Sequence, residues 1–202
     1  MTTMACAHRG DKSCAPENTV PAFAMAVDKG AKQIEFDVTE SSDGHLVIMH
    51  DATVDRCTDG AGVLNEMTFS QLRALDAGIR MGDRFRGTRI PTLEEALEAI
   101  PAEVQCNVHL QRVLSAAAKT ARTVADMGRL DQCFLACTVE EAAAARQVAP
   151  GIRVCNMTNQ GARTPPTRTR PWPWAVSSSS CTASWATRRC IAAPWSGCTP
   201  TG

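Results

Sequence analysis

The sequence contains no tyrosine, and aromatic residues make up only 4% of its 202 positions. That scarcity disfavours the stacking platforms on which single-stranded nucleic acids bind. An excess of charge of one sign is also missing. The 21 Lys and Arg balance 21 Asp and Glu, for a formal net charge of zero, so the basic footprint of a nucleic-acid binder is not expected. No apolar run approaches the roughly 18–20 residues that span a bilayer. The opening stretch, Met1 to Gly10, lacks a basic segment followed by an apolar core. It therefore reads as no secretory leader, and a cytoplasmic location is expected. The ten cysteines have no metal-type spacing, since Cys133 and Cys137 form a C-x3-C pair without a second pair. They read as mostly reduced small side chains rather than a disulfide framework.

The overall neutrality hides an asymmetry. All 21 acidic residues and 16 of the 21 basic ones precede residue 163, a net of −5 for residues 1–162. Residues 163–202 hold five Arg, all four Trp, six of the Pro and the run Ser177 to Ser180. Pro165-Pro166 and Pro171-Trp172-Pro173 break any element that begins there. The expectation is one domain over 1–162 and an irregular tail over 163–202, disordered or read out of frame.

Residues 1–162 alternate between strand and helix patterns. Strands are expected at Met4–His8, Gln33–Thr39, Leu46–Met49, Val104–Leu110, Cys133–Ala136 and Ile152–Met157. Helices are expected from Pro16-Glu17-Asn18-Thr19 to about Lys29, with Asn18 or Thr19 as N-cap and Gly30 closing it, and over 91–100 with Thr92 as N-cap. Two more are expected at Leu114–Met127 and Val139–Val148. Asp43-Gly44 reads as a hairpin-type turn. Residues 53–90 form a glycine-punctuated excursion. This alternation predicts an α/β fold with a parallel sheet and helical crossovers.

Polar residues gather where the strands end: His8-Arg9, Glu35 and Asp37, His50-Asp51, and Asn107, His109 and Gln111 on one face of their strand. In a parallel barrel the C-terminal strand ends build the active site. On the strand at 33–39, Ile34, Phe36 and Val38 form one face, suited to packing under helices, so Glu35 and Asp37 would point inward. Buried carboxylates are costly unless paired or metal-bound. Two on one strand point to a hard divalent cation such as Mg²⁺ or Ca²⁺, with a salt-bridged core pair as the alternative. His45, beside the Asp43-Gly44 turn, reads as a surface residue.

Taken together, His8-Arg9-Gly10, Pro16-Glu17-Asn18-Thr19, Ile34-Glu35-Phe36-Asp37-Val38, Asp43-Gly44, His50-Asp51-x-Thr53-Val54-Asp55-Arg56-x-Thr58-x-Gly60-x-Gly62 and Ile90-Pro91-Thr92-Leu93-Glu94-Glu95 follow in order. This series resembles the glycerophosphodiester phosphodiesterase family over about residues 4–160. The resemblance implies a (β/α)8 TIM-barrel type fold, of which five or so N-terminal units are present, with a small insertion after the second unit. It also implies hydrolysis of glycerophosphodiesters to glycerol 3-phosphate and an alcohol. His8 and His50 would then be the general acid and base, Glu35 and Asp37 the holders of a divalent cation, and Arg9 and Glu17 the substrate-binding groups.

Two departures from the family pattern matter. The family's next metal strand commonly reads Asn-x-Glu-x-Lys, and here it reads Asn107-Val108-His109-Leu110-Gln111. His109 would be the third metal ligand and Gln111 the substrate-facing residue, with the preferred metal shifting toward Zn²⁺ or Mn²⁺. The match also stops after the fifth barrel strand, whereas a full barrel takes about 250 residues. Other readings follow from this: a catalytically inactive remnant, prone to instability, or a related barrel phospholipase. The expected partner is a small glycerophosphodiester, with no nucleic acid and no transmembrane segment.

Overall fold

The computed structural model describes residues 5–111 and 114–157. Met4 and residues 163–202, including the expected irregular tail, lie outside the described residues.

The chain begins with strand β1 (Cys6–His8) and helix α1 (Val20–Asp28). Strand β2 (Gln33–Glu40) and strand β3 (Leu46–Ile48) follow. The excursion contains a short helix α2 (Phe69–Arg73), and helix α3 (Leu93–Ala99) closes it. Next come β4 (Gln105–Leu110), α4 (Leu114–Asp126), β5 (Cys133–Cys137), α5 (Val139–Val148) and β6 (Arg153–Asn156).

Among the described residues the sheet order is β1-β2-β4-β5-β6, every neighbouring pair parallel, and it does not close on itself. β3 pairs antiparallel with β2 across the Asp43-Gly44 turn, which gives the expected hairpin. Five parallel strands with helical crossovers make a partial TIM barrel, as the strand–helix alternation predicts.

Local chemistry explains these elements. Thr92 and Thr138 each accept the backbone N–H three residues on, while Glu95 and Glu141 reach back to the cap N–H, so α3 and α5 both open with a capping box. Strand β2 splits its residues by parity. Ile34, Phe36 and Val38 are fully buried among Phe23, Leu93, Leu97 and Ala117 from the helical layer. Burying each such side chain stabilises by about 1.5–3 kcal/mol. Glu35 and Asp37, which alternate with them, face the other side of the sheet, toward the barrel interior.

One expected cap is corrected. Asn18 does not cap α1; it adopts φ 57° and its side chain turns to Asp37. Thr19 stands at the N-cap position, but its hydroxyl donates to the Pro16 carbonyl instead. A capping bond is forgone so that the Asn18 amide can hold a buried carboxylate.

The excursion at 53–90 packs onto Val47 and Met49 at the end of β3 through Val54, Leu64, Leu72, Ala77 and Ile90. Arg73 forks onto both oxygens of Glu95 at 2.8 and 2.9 Å, tying α2 to α3.

Candidate active site

Strand register assembles the centre of the site. His8 lies opposite Glu35 on β1 and β2, Glu35 opposite Asn107, and Asp37 opposite His109 on β2 and β4. Side chains of paired residues share a face. One interior layer therefore carries His8, Glu35 and Asn107, and the layer above it carries Asp37 and His109.

His109 Nδ1 lies 3.6 Å from Glu35 Oε1 and 3.4 Å from Asp37 Oδ1. One ligand atom from each of Glu35, Asp37 and His109 falls within 4.8 Å of the others, a spacing that one metal ion can bridge. Burial opposes the charged form of His109, but the adjacent carboxylates of Asp37 and Glu35 outweigh it and raise its pKa to about 9. Burial likewise works against ionised Asp37. Hydrogen bonds with His109 and Asn18 and the charges of His50 and Arg9 win and hold its pKa below the usual range.

Asp37 is heavily partnered. Asn18 Nδ2 donates to Oδ2 at 2.9 Å, Gln111 Nε2 donates to Oδ1 at 2.5 Å, and Arg9 Nε lies 3.3 Å from Oδ2. Gln111, the residue expected to face the substrate, thus bonds Asp37 from the end of β4. Glu35 differs. It is 1% exposed and its Oε2 accepts from the Arg9 backbone N–H at 3.1 Å. Among the described residues, Glu35 Oε1 and Asn107 Oδ1 are buried without a hydrogen-bond partner. Two orphaned acceptor oxygens on facing residues, beside an imidazole, form a donor set that fits a divalent cation.

The β1–α1 loop brings Arg9 into place. Arg9 has φ 61°, uncommon for a non-glycine residue. Gly10 follows at φ 76°, and a Cβ there would lie 2.7 Å from the Ala22 backbone of α1. Only glycine lets this loop press against the helix and aim Arg9 inward. Arg9 Nη1 then donates to Glu17 Oε1 at 2.9 Å.

Two of the other three histidines, His8 and His50, lie near the centre. His8 Nε2 lies 3.7 Å from Glu35 Oε2, and Lys12 Nζ lies 3.1 Å from His8 Nδ1. Burial, with Lys12 and Arg9, lowers the His8 pKa against the pull of Glu35 and Asp37. His50 Nδ1 lies 2.7 Å from Asp51 Oδ1. Asp51 Oδ2 accepts from Arg56 Nε at 2.6 Å. Arg56 in turn donates both terminal nitrogens to Glu17, at 2.7 and 3.0 Å. The Arg56 hydrogen bond, with a smaller share from His50, pulls the Asp51 pKa down to about 2. Burial pushes Glu17 the other way, but Arg56 and Arg9 outweigh it and keep its pKa low as well. A cleft lined by Glu17, Asn18, Met49, His50 and Cys57 opens beside this chain of contacts. His45 is on the surface, its side chain 54% exposed and its ring stacked on Phe69.

A family model described as the glycerophosphoryl diester phosphodiesterase family matches residues 8–168. The chain belongs to that family. It is 51% identical over 100 residues to a glycerophosphodiester phosphodiesterase of Caldanaerobacter subterraneus, a match covering 50% of this chain and 41% of that protein. It is 50% identical over 95 residues to mouse glycerophosphodiester phosphodiesterase 1, covering 46% of this chain and 29% of that one. The crystal structure of a glycerophosphodiester phosphodiesterase from Agrobacterium tumefaciens superposes with a TM-score of 0.69 at 35% identity. That match covers 76% of this chain and 66% of the other. An Oleispira antarctica phosphodiesterase, solved with the product sn-glycerol-3-phosphate, gives 0.67 at 31% identity, covering 76% and 65%. The matches thus span under half the length of these curated relatives and about two thirds of the solved ones.

Every residue singled out in the sequence, His8, Arg9, Glu17, Glu35, Asp37, His50, His109 and Gln111, belongs to this one connected cluster. Three further participants, Asn18, Asp51 and Arg56, carry no assigned role in the sequence reading. Asn18 has the look of a helix cap. Asp51 and Arg56 stand in the His50-Asp51 motif without a function. Their signal lies in that motif, where an acid and a base of opposite charge sit one and six residues after a histidine. Among the described residues no helix is long and apolar enough to cross a membrane.

Proposed function

We propose that this chain carries a metal-dependent phosphodiesterase site that hydrolyses glycerophosphodiesters to glycerol 3-phosphate and an alcohol, with His8 and His50 as its acid–base pair. The observation that carries this reading is the convergence of Glu35, Asp37 and His109 near the two histidines. Family membership and the sn-glycerol-3-phosphate held by the Oleispira relative support the substrate class.

A divalent cation bound by Glu35, Asp37 and His109 supplies Lewis acidity and neutralises phosphoryl charge. An imidazole nitrogen beside two carboxylates favours Mn²⁺ or Zn²⁺ over Mg²⁺ or Ca²⁺. The chain's own residues do the rest. Arg9, anchored by Glu17 and Asp37, holds positive charge at the edge of the centre, where a phosphodiester anion is stabilised. One imidazole takes the proton of the glycerol hydroxyl that attacks phosphorus, the other protonates the leaving alcohol oxygen, and water then opens the resulting cyclic phosphate to glycerol 3-phosphate. Imidazole suits both tasks near neutral pH. Asn18 and Gln111 hold Asp37 in a fixed orientation, so it need not reorganise during reaction.

The test is release of glycerol 3-phosphate from glycerophosphocholine by the full chain with Mn²⁺, Zn²⁺, Mg²⁺ or Ca²⁺. Turnover abolished by chelator and by His8→Ala or His50→Ala is the expected result. Full activity of His50→Ala overturns the two-histidine mechanism. Equal activity in chelator overturns the metal.

A further inference from the structure

Arg56 belongs to the excursion, yet it bonds two acidic side chains that arise far apart in the chain. Its terminal nitrogens grip both oxygens of Glu17, 39 residues away, while its Nε donates to Asp51. All three of its nitrogens are thus engaged with carboxylate oxygens at 2.6 to 3.0 Å. A planar guanidinium held at three points has little freedom, and its geometry passes to whatever it touches. Lysine, with a single nitrogen on a flexible stem, has no equivalent geometry.

Asp51 transmits that geometry. Its Oδ2 is taken by Arg56, so only Oδ1 is left toward His50 Nδ1, at 2.7 Å. A carboxylate held ionised by Arg56 is acceptor-only. His50 Nδ1 must therefore be the donor in that bond, and a neutral His50 ring has its bare nitrogen at Nε2. A histidine whose tautomer is fixed by a carboxylate presents one defined nitrogen to its substrate.

We propose that Arg56 is a positioning residue. By clamping Asp51 from the far side, it fixes the His50 ring as the Nδ1–H tautomer and leaves Nε2 to exchange the reacting proton. The same clamp seats the Glu17 loop, so the β1–α1 loop and the His50 loop are held in one frame by one side chain. The assignment rests on reading His50 as an acid–base group, but the tautomer itself is a property of the chain whether or not it turns over.

The chain has only four histidines, so long-range ¹H–¹⁵N spectra of ¹⁵N-histidine-labelled full-length protein report each ring directly. They are recorded at a pH where the His50 ring is neutral. Wild type is expected to show His50 protonated at Nδ1. Arg56→Gln and Asp51→Asn should each shift it to a mixture rich in Nε2–H, with the His45 and His109 signals unmoved. Arg56→Lys, which keeps the charge and loses the fork, should fall between. In the same proteins, kcat on glycerophosphocholine should drop about 10- to 100-fold with KM within about twofold. A His50 ring already Nε2–H in wild type, or unmoved in Arg56→Gln and Asp51→Asn, overturns the proposal. If Arg56→Gln does not fold, Arg56→Lys and Asp51→Asn decide it alone. A wild type with the Nδ1–H ring but no hydrolysis under any metal defeats the proposed activity and leaves the positioning role standing.

Discussion

Two polar clusters lie side by side at the C-terminal end of this sheet, and they are built on opposite plans. In the rim, Arg9, Arg56 and His50 satisfy the carboxylates of Glu17 and Asp51. Each oxygen of Glu17 and of Asp51 has a donor within 3.0 Å. In the centre, Glu35 Oε1 and Asn107 Oδ1 are buried with no hydrogen bond among the described residues. The two rim carboxylates are only partly buried, so an unmet bond there would cost little, yet both are fully bonded. In the centre an unmet bond is expensive, and although Asp37 is fully bonded, Glu35 Oε1 and Asn107 Oδ1 are left open. A cluster complete in itself fixes positions, whereas a buried cluster left incomplete is shaped for a ligand.

The sharpest way to break this comparison is Glu35→Gln. The variant is expected to lose more than about 100-fold in Mn²⁺ affinity by calorimetry. Its thermal stability without metal should fall, because the buried contacts of Glu35 with His8 and His109 are weakened. A variant that binds Mn²⁺ as tightly as wild type shows that the centre is not a metal site. Glu17→Gln should spare metal binding. It weakens the rim while leaving Mn²⁺ affinity within about threefold, and it lowers unfolding free energy in urea by about 1 kcal/mol. A large loss of metal affinity in Glu17→Gln would mean that the two clusters are one unit.

The smallest effect is in pH. The Asp51 pKa, held down to about 2 chiefly by Arg56, lies below the ordinary carboxylate value near 3.9. Its contribution to stability is therefore complete above that ordinary value and fades as pH falls toward 2. The difference in unfolding free energy between wild type and Asp51→Asn should shrink steadily from pH 5 to pH 2. The difference is small throughout, because Asp51 is partly solvated and its ion pair is screened. A difference that stays constant over that range would show that Asp51 is not held by Arg56.

The parity of residues 33–40 is legible from the amino-acid order alone. Ile34, Phe36 and Val38 against Glu35 and Asp37 is a period-2 pattern, and the strand buries it as the pattern demands. Capping boxes at Thr92 and Thr138 are equally local signals, because their partners lie three residues on. Helix α2 is not legible in this way because five residues show no helical period, although Thr68 and Gln71 form a capping box there. Asn18 misleads for a different reason. A residue that can cap a helix carries the same amide that can hold a carboxylate, and only the approach of β2 settles which it does. Gln111 stands where the family pattern sets a substrate-facing residue, and its amide reaches Asp37, 74 residues earlier.

By itself the sequence determined the alternation of strands and helices, the inward carboxylates of β2 and the motif series that marks the family. Those are properties of neighbours along the chain, governed by side-chain periodicity and by bonds that span three or four residues. The tertiary structure alone decided that Asp37 meets His109 and Glu35 meets Asn107, since that depends on the register between β2 and β4. It also decided that Arg56 joins Glu17 to Asp51 across 39 residues. Parallel strands take their register from the packing of the helices that connect them, and a forked side chain takes its partners from loops that this packing brings together.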